Sequence, residues 1–450
     1  MPPGIPRLTR FLPLPTNRFR TPLGVPFDGR DIKMAETSEI ILWQNGDSVL
    51  EGICPICGGN EARPFLNIFS HYHNKYLEVL ECHGCKSVSY PEDSVIGYEP
   101  FENNDWHWKH YVEVGSGIDF MLSTVNCVPH PPGASLLEIG SGFGFVLDYW
   151  KKFVGGRAVG LETARYGKIG KEILGLEVYH EYLEDCAAVK DEQFDFVYAT
   201  EVIEHVPSPR AFIEQLKRKL LSNGVMILTT PAREFLDRAR PPEELLAPLS
   251  PGFHYFLLSR PAFESLLRDA GFAHVEVRQI RERLVAVASM RDLPKMNLNV
   301  DIKEEYMNYL KSLLSSSHPI MRSGALYRLF KENVNQGTYR EAGHFLEDLK
   351  KLCKDHYEID LEALPLNEIL ATENAERYHT RYPSWLGCSL YYMGIYATNF
   401  LDDQRVALRY FDAATQLIRH EKRLGSLFPR KRQASSPPPT TITAERPPSS

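Results

Sequence analysis

Between residues 135 and 290 short apolar runs alternate with helical patterns, and no other feature of the chain constrains its fold as strongly. The runs "SLLEIG", "RAVGLE", "LEVYHE", "FDFVYAT" and "GVMILTT" read as strands, with "HVEVRQI" and "RLVAVAS" as a closing pair. Strands separated by helices run parallel, and a parallel sheet needs helices on both faces, so the expected fold class is α/β around seven strands. The first run leads into "GSGFG", where Gly140, Gly142 and Gly144 stand between strand and helix. A strand that breaks on glycines before a helix brings bare backbone and helix-start amides against a ligand. Phe145 occupies the place where a dinucleotide fingerprint wants its third glycine, so the NAD pattern fails. Glu162 ends the second run, 22 residues after Gly140, where a carboxylate can accept both hydroxyls of a ribose.

Residues 110 to 290 resemble the class I S-adenosylmethionine-dependent methyltransferases. "LLEIGSGFG" is similar to the first motif of that family, "GLE" to its acidic second-strand end, and "FDFVYATEVIEHVPSP" to its fourth-strand motif. "LLSNGVMILTTP" resembles the segment entering strand five. "HYFLLSRPAFESLLRDAGFAHVEV" is similar to the last helix and strand of the ubiquinone-pathway, small-molecule branch. The resemblance implies a seven-stranded Rossmann-like methyltransferase sheet with S-adenosylmethionine as cofactor. It implies a cofactor site of Glu138, Gly140, Ser141, Gly142, Gly144 and Glu162. There the glycines admit the cofactor to the backbone, Glu138 orients the methionine end and Glu162 holds the ribose. The loop after the third strand, around Leu183 and Glu184, is expected to face the adenine. A non-catalytic copy of the fold is the bland alternative, and the intact glycine loop and Glu162 argue against it.

"EVIEH" places Glu201, Glu204 and His205 at i, i+3 and i+4, on one face of the turn after the fourth strand. In the fold so implied that turn lies beside the transferred methyl group, and His254, from "GFHYF", is expected to converge on it. Three readings stand open. A histidine acts as general base, since imidazole titrates near neutrality. Alternatively, the four groups hold a second, divalent metal that lowers the pKa of an acceptor oxygen, as similar sets do in metal-dependent O-methyltransferases. Or the motif packs the loop and shapes the pocket.

Upstream, "CPICGG" and "CHGCKSVSY" supply Cys54, Cys57, Cys82 and Cys85, two C-x-x-C pairs 24 residues apart. A hairpin can return the second pair to the first, so that four thiolates close a tetrahedral structural zinc site. Gly58 and Gly84 are expected to take the unusual turn angles, His83 to be a bystander, and Phe65, Phe69, Tyr72 and Tyr76 to pack the hairpin. Cys127, Cys186, Cys353 and Cys388 are scattered singly and read as small buried hydrophobes in a reducing, cytoplasmic setting.

Beyond residue 290 strand signals cease. "GTYREAGHFLEDLKKL" and "LDDQRVALRYFDAATQL" are weakly similar, Ala342 and Phe345 matching Ala407 and Tyr410. This resembles tetratricopeptide hairpins, although an ordinary helical bundle fits equally; either suggests protein contact or self-association. Trp106, His107, Trp108 and His110 are expected on a lid helix over the cofactor. The divisions are a Pro-rich basic segment 1–45, a zinc-knuckle module 46–98, a methyltransferase domain 99–290, a helical region 291–426 and a low-complexity tail 427–450. The first segment reads as disordered or as preceding a true start at Met34, its prolines opposing a transit-peptide helix. No run of eighteen apolar residues suggests a membrane span. The net charge of −7 is more negative still without the basic ends, which counts against nucleic-acid binding. The chain therefore reads as a methyltransferase acting at oxygen on a small-molecule or sugar-linked acceptor. An RNA or protein methyltransferase, or a non-catalytic scaffold working through its helices, is the alternative.

Overall fold

The computed structural model describes residues 40–44, 48–96, 105–115, 117–299 and 301–426. The expectations for 1–39, 45 and 427–450 lie outside the described residues, as do those for the side chains of Trp106 and His107.

The N-terminal strands are β1 (Ile41–Trp43), β2 (Leu50–Glu51), β3 (Glu61–Ser70), β4 (Lys75–Cys82) and β5 (Val88–Ser89). The β3–β4 hairpin is their centre. Leu66 and Ile68 on β3, with Leu77 and Val79 on β4, are fully or nearly fully buried along one face, the period-two pattern of a half-buried sheet. Glu81 of β4, itself buried, takes one hydrogen bond from Arg63 Nε at 2.9 Å and one from Arg233 Nε at 3.0 Å. Arg233 belongs to the next domain, so this ion pair docks the two.

Two helices follow, α1 (Asp105–Val114) and α2 (Ile118–Val125), and then the large sheet. Its strands are β6 (Leu136–Ile139), β7 (Ala158–Leu161), β8 (Glu177–Tyr179), β9 (Phe194–Thr200) and β10 (Leu220–Pro231), closed by β12 (His274–Ile280) and β13 (Arg283–Ser289). The order is β12-β13-β10-β9-β6-β7-β8, parallel except for β13, which runs antiparallel to both its neighbours. Every expected strand is present, and β6, buried throughout, lies between β9 and β7. The chain leaves the two sides of β6 in opposite directions, and such a switch point opens a crevice at the strands' carboxyl ends. The flanking helices include α3 (Phe145–Tyr149), α4 (Arg165–Leu174), α5 (Pro209–Arg218), α6 (Pro242–Leu249) and α7 (Arg260–Asp269).

One short strand was not expected. β11 (Phe256–Leu257) lies outside the large sheet and pairs antiparallel with Val88–Ser89 of β5. The N-terminal sheet therefore ends on a strand that lies between α6 and α7 in the chain.

The C-terminal region contains α8 (Lys303–Ser312), α9 (Pro319–Gln336), α10 (Tyr339–Tyr357), α11 (Leu366–Leu370), α12 (Ala375–Arg381), α13 (Leu386–Tyr396) and α14 (Gln404–Ser426). α9 turns into α10 at Gly337, and α13 packs on α14; Ala342 and Ala407, matched in the sequence, are buried on the second helix of each pair. Buried charges fasten this region to α1. Lys109 donates to the carbonyls of His379, Thr380 and Tyr382 at 2.8, 3.1 and 2.8 Å, at the end of α12. Arg328 of α9 donates in turn to the carbonyls of Val112 and Glu113, the last turn of α1. Lys109 thus sits at the negative end of α12 and Arg328 at that of α1, where the macrodipole and unpaired carbonyls favour a cation. Among the described residues, no helix is long and apolar enough to cross a membrane.

Candidate active site and metal centre

The glycine loop is built for close approach. Gly140, Gly142 and Gly144 adopt φ of +69°, +57° and +90°, the left-handed region in which a Cβ is penalised. The amide of Gly142 donates to Glu162 Oε2 at 2.8 Å, and the amide of Ala164 donates to Oε1 at 2.8 Å. Glu162 therefore ties the loop to the start of α4 as well as facing the crevice. Its side chain fits because α4 carries Gly167: a Cβ there would stand 2.4 Å from Glu162 Cγ. Burial pushes the Glu162 carboxyl up to about 7, against the pull of those two amides. Glu138, at the end of β6, is buried more fully still. Its Oε2 has no hydrogen-bond partner among the described residues, and neither has Ser141 Oγ. Burial, and then the charge of Glu162, push Glu138 well above the usual carboxylate range. An orphaned buried carboxylate at the edge of a cavity fits a ligand that brings an ammonium or another cation.

The cavity has a volume of about 660 Å³, within the range of small-ligand sites. Glu138, Gly140, Ser141, Gly142 and Glu162 line it, as do Leu183 and Glu184 from the loop after β8. Gly144 does not line it and serves the turn into α3. Aromatic side chains wall the cavity; the sequence points to Trp108 as part of a lid and to Tyr72 only as hairpin packing, and it does not single out Tyr111 or Tyr182. Tyr111 of α1 lies stacked between Phe145 and Tyr166, at centroid distances of 5.8 and 6.1 Å, and Tyr182 is largely exposed. Trp108, on the expected lid helix, lies parallel to Phe143 and lines the cavity, whereas His110 is not in its lining. Tyr72 comes from the N-terminal hairpin tip. Only a three-dimensional neighbourhood reveals Tyr111 and Tyr182, since one aromatic in a helix or turn has no pattern of its own.

At the other end stands the turn after β9, a short 3-10 segment Ile203–His205. The four groups expected to converge there divide. Glu204, His205 and His254 bring ligand-type atoms within 4.8 Å of one another. Glu201 does not join them. It is the left-handed residue before the turn, at φ +54°, and its carboxylate accepts from Thr229 Oγ1 at 2.8 Å and pairs with Arg283 Nε at 3.3 Å. The helical i, i+3 spacing fails as a guide because the chain is not α-helical at that point. His205 Nδ1 donates to the Phe253 carbonyl at 3.0 Å and His254 Nδ1 to the Pro248 carbonyl at 2.9 Å. A carbonyl only accepts, so each neutral ring carries its lone pair on Nε2, and that of His205 lies 3.9 Å from Glu204 Oε1. Burial holds His205 neutral, down to about 4, and burial with His205 beside it lowers His254 further. Glu204 Oε1 has no hydrogen-bond partner among the described residues. Burial, then the Glu201 carboxylate, push its carboxyl well up. Glu204 Oε2 accepts from Thr230 Oγ1 at 3.0 Å, and two neutral imidazoles with the remaining oxygen of a carboxyl that a cation would ionise make a donor set that fits a divalent ion.

The four N-terminal cysteines also come together. Cys54 and Cys85 Sγ are 3.8 Å apart and Cys57 and Cys82 Sγ 3.6 Å, without a disulfide. Zn–S bonds of about 2.3 Å in a tetrahedron give S···S edges of about 3.8 Å, so the cluster is compatible with structural zinc. Gly58 takes positive φ as expected, but in the second knuckle Lys86, not Gly84, does so. His83 is exposed and lies 3.8 Å from Glu61, outside the cluster. Freshly purified protein is expected to carry one Zn²⁺ per chain, with Cys54→Ser or Cys85→Ser lowering metal content and solubility together. Elemental analysis finding none in folded protein would remove the site.

The family model described as a methyltransferase domain matches residues 107–277. Residues 107–277 form a class I S-adenosylmethionine-dependent methyltransferase domain. The ubiquinone biosynthesis O-methyltransferase of Dinoroseobacter shibae is 32% identical over 108 residues, 23% of this chain and 43% of that protein. That of Psychrobacter arcticus is 29% identical over 157 residues, 32% of this chain and 61% of that protein. The chain therefore spans less than two thirds of these relatives. The solved structure of a Thermotoga maritima S-adenosylmethionine-dependent methyltransferase, described as a possible histamine N-methyltransferase, is 22% identical with a TM-score of 0.34. It covers 43% of this chain and 98% of its own.

In the methyltransferase domain the raised carboxyls of Glu138 and Glu162 give the binding of any ligand they hold a pH dependence of definite sign. Without ligand, both hold protons at a pH where an exposed carboxyl has lost them. A ligand ammonium, and hydroxyls donating to Glu162, stabilise the ionised forms, so binding releases protons and tightens as pH rises. Affinity for S-adenosylhomocysteine should weaken by about fivefold or more from pH 8 to pH 6, and Glu162→Gln should be weak and flatter across that window. Calorimetry at both pH values, in buffers of different ionisation enthalpy, checks the sign; affinity that improves on acidification sinks the reading.

Proposed function

We propose that this chain transfers the methyl group of S-adenosylmethionine to a hydroxyl of a small, largely uncharged acceptor. The observation that carries this is one continuous cavity with two chemically different ends. Glu138, the glycine loop and Glu162 line one end, while Val202, His205, Val206 and Phe253 line the other. The bound cofactor supplies a sulfonium methyl open to in-line attack. Glu138 and Glu162 hold the cofactor's ammonium and ribose, Gly140, Ser141 and Gly142 lie against it, and Leu183 and Glu184 border its base. Glu204, His205 and His254 would hold a divalent ion, with His205 the one of them that reaches the cavity, and the charge of such an ion would lower the pKa of an acceptor hydroxyl. The likeness to ubiquinone biosynthesis O-methyltransferases supports oxygen as the accepting atom. Among the described lining residues Arg165 is the only Lys or Arg, which supports an acceptor without a phosphate backbone.

The surrounding parts belong to the same reading. The helical region 291–426 serves protein contact or self-association, supported by the exposed Phe400, Leu401 and Leu408, and the enzyme works in the cytoplasm. The test is calorimetry with S-adenosylhomocysteine, followed by transfer of labelled methyl from S-adenosylmethionine to simple catechols, RNA and protein in parallel. Label in the catechol supports the reading. Label in RNA or protein alone assigns the other acceptor class, and no cofactor binding at all overturns the function.

A further inference from the structure

We infer that the cysteine-rich module is a working wall of the acceptor site, with Tyr72 at the β3–β4 hairpin tip determining which acceptors bind; this rests on the acceptor end proposed above. β3 runs ten residues from the first cysteine pair, a reach of about 30 Å at about 3.3 Å per residue. The cysteines pin one end of this lever and the cavity lies at the other. The tip is held there from both sides. Ser70 Oγ and His73 Nδ1 are 2.9 Å apart across the turn, and His73 lies over Gly252, where a Cβ would stand 3.3 Å from His73 Cε1. Gly252 also has φ +98°, so it is the residue that admits the hairpin. Tyr72 then meets Phe253 edge to face, with centroids 5.0 Å apart and planes at 87°.

The stretch behind Phe253 has two edges. On one, Ile96 N donates to Gly252 O at 2.8 Å and Tyr90 N to Tyr255 O at 2.9 Å, and β11 pairs with β5. On the other, Tyr255 N donates to Glu204 O at 2.9 Å and His205 Nδ1 to Phe253 O at 3.0 Å. One segment is thus hydrogen-bonded to the cysteine-rich sheet and to the Glu204–His205 turn at once. A folding staple alone would need neither contact. Of the described cavity residues Tyr72 alone belongs to that module, and its ring packs on the His205 side. Two rings edge to face, in a cavity that Val202 and Val206 also line, form an apolar wall suited to a flat, hydroxylated ring.

The experiment compares wild type, Tyr72→Ala and Tyr72→Phe for zinc content, S-adenosylhomocysteine affinity, 4-methylcatechol affinity in the presence of S-adenosylhomocysteine, and KM for 4-methylcatechol. Tyr72→Ala should keep its zinc and hold cofactor affinity within about twofold, while raising probe Kd and KM by about tenfold; Tyr72→Phe should stay close to wild type. Should Tyr72→Ala lose zinc, Tyr72→Leu, which keeps apolar bulk against Phe253, carries the same comparison. Unchanged probe Kd and KM in the substituted protein overturn the inference. So does wild-type protein that binds S-adenosylhomocysteine but not 4-methylcatechol. Wild-type protein that binds neither overturns the proposed function instead.

Discussion

Gly142→Val is expected to lower S-adenosylhomocysteine affinity by about a hundredfold or more, a loss of about 2.7 kcal/mol. Three effects act in one direction. A β-branched residue at φ +57° costs about 1–2 kcal/mol and pulls the loop out of the left-handed region. Even without that shift the new Cβ lies 3.4 Å from Tyr111 Oη, and the γ-methyls take up room in the cavity proposed for the cofactor. If the loop moves, the 2.8 Å hydrogen bond from Gly142 N to Glu162 is lost, leaving a buried carboxylate oxygen short of a donor at about 1–3 kcal/mol. Gly155→Ala is the control, since Gly155 has φ +81° with nothing within 4 Å of a Cβ. It carries backbone strain without touching the cavity and should leave affinity unchanged. Equilibrium dialysis on both variants decides, and wild-type affinity in Gly142→Val would remove the glycine loop from the cofactor site.

The glycine loop, Glu162 and the seven strands were legible because each leaves a local mark: a period, a break, a spacing. What was not legible depends on partners distant in the chain. β11 is two residues long, and its partner β5 lies almost 170 positions upstream, so no window of sequence contains the pair. Lys109 and Arg328 were not expected in an interior, because long cations are normally solvated. They are buried because helix-end carbonyls on neighbouring elements take their hydrogen bonds. Glu201 shows the opposite failure. Its spacing to Glu204 and His205 suggested a common face, but a left-handed backbone sends its carboxylate to Arg283.

That division of Glu201 from its neighbours sharpens the second large effect. Rigorous removal of divalent ions should lower turnover by about a hundredfold while leaving S-adenosylhomocysteine affinity within about twofold, because the two ends of the cavity use different residues. Glu204→Ala and His205→Ala should behave alike, each removing one donor from a shared site and each weakening Mn²⁺ binding followed by electron paramagnetic resonance. A base-only mechanism predicts otherwise: a histidine variant fails, and Glu204→Ala does not. Glu201→Gln should fall in neither class. Its carboxylate accepts from Thr229 and shares the half-buried Arg283 with Glu282, so the variant should lose about 1–3 kcal/mol of stability before it loses any ion. The four-cysteine cluster is the control for chelation: elemental analysis must show its zinc retained, or the loss of turnover says nothing about Glu204. Full turnover in metal-free buffer with that zinc in place rejects the ion. The raised Glu204 carboxyl beside two neutral imidazoles would then be left as a proton-holding group, and His205 Nε2 as the atom that takes the acceptor's proton.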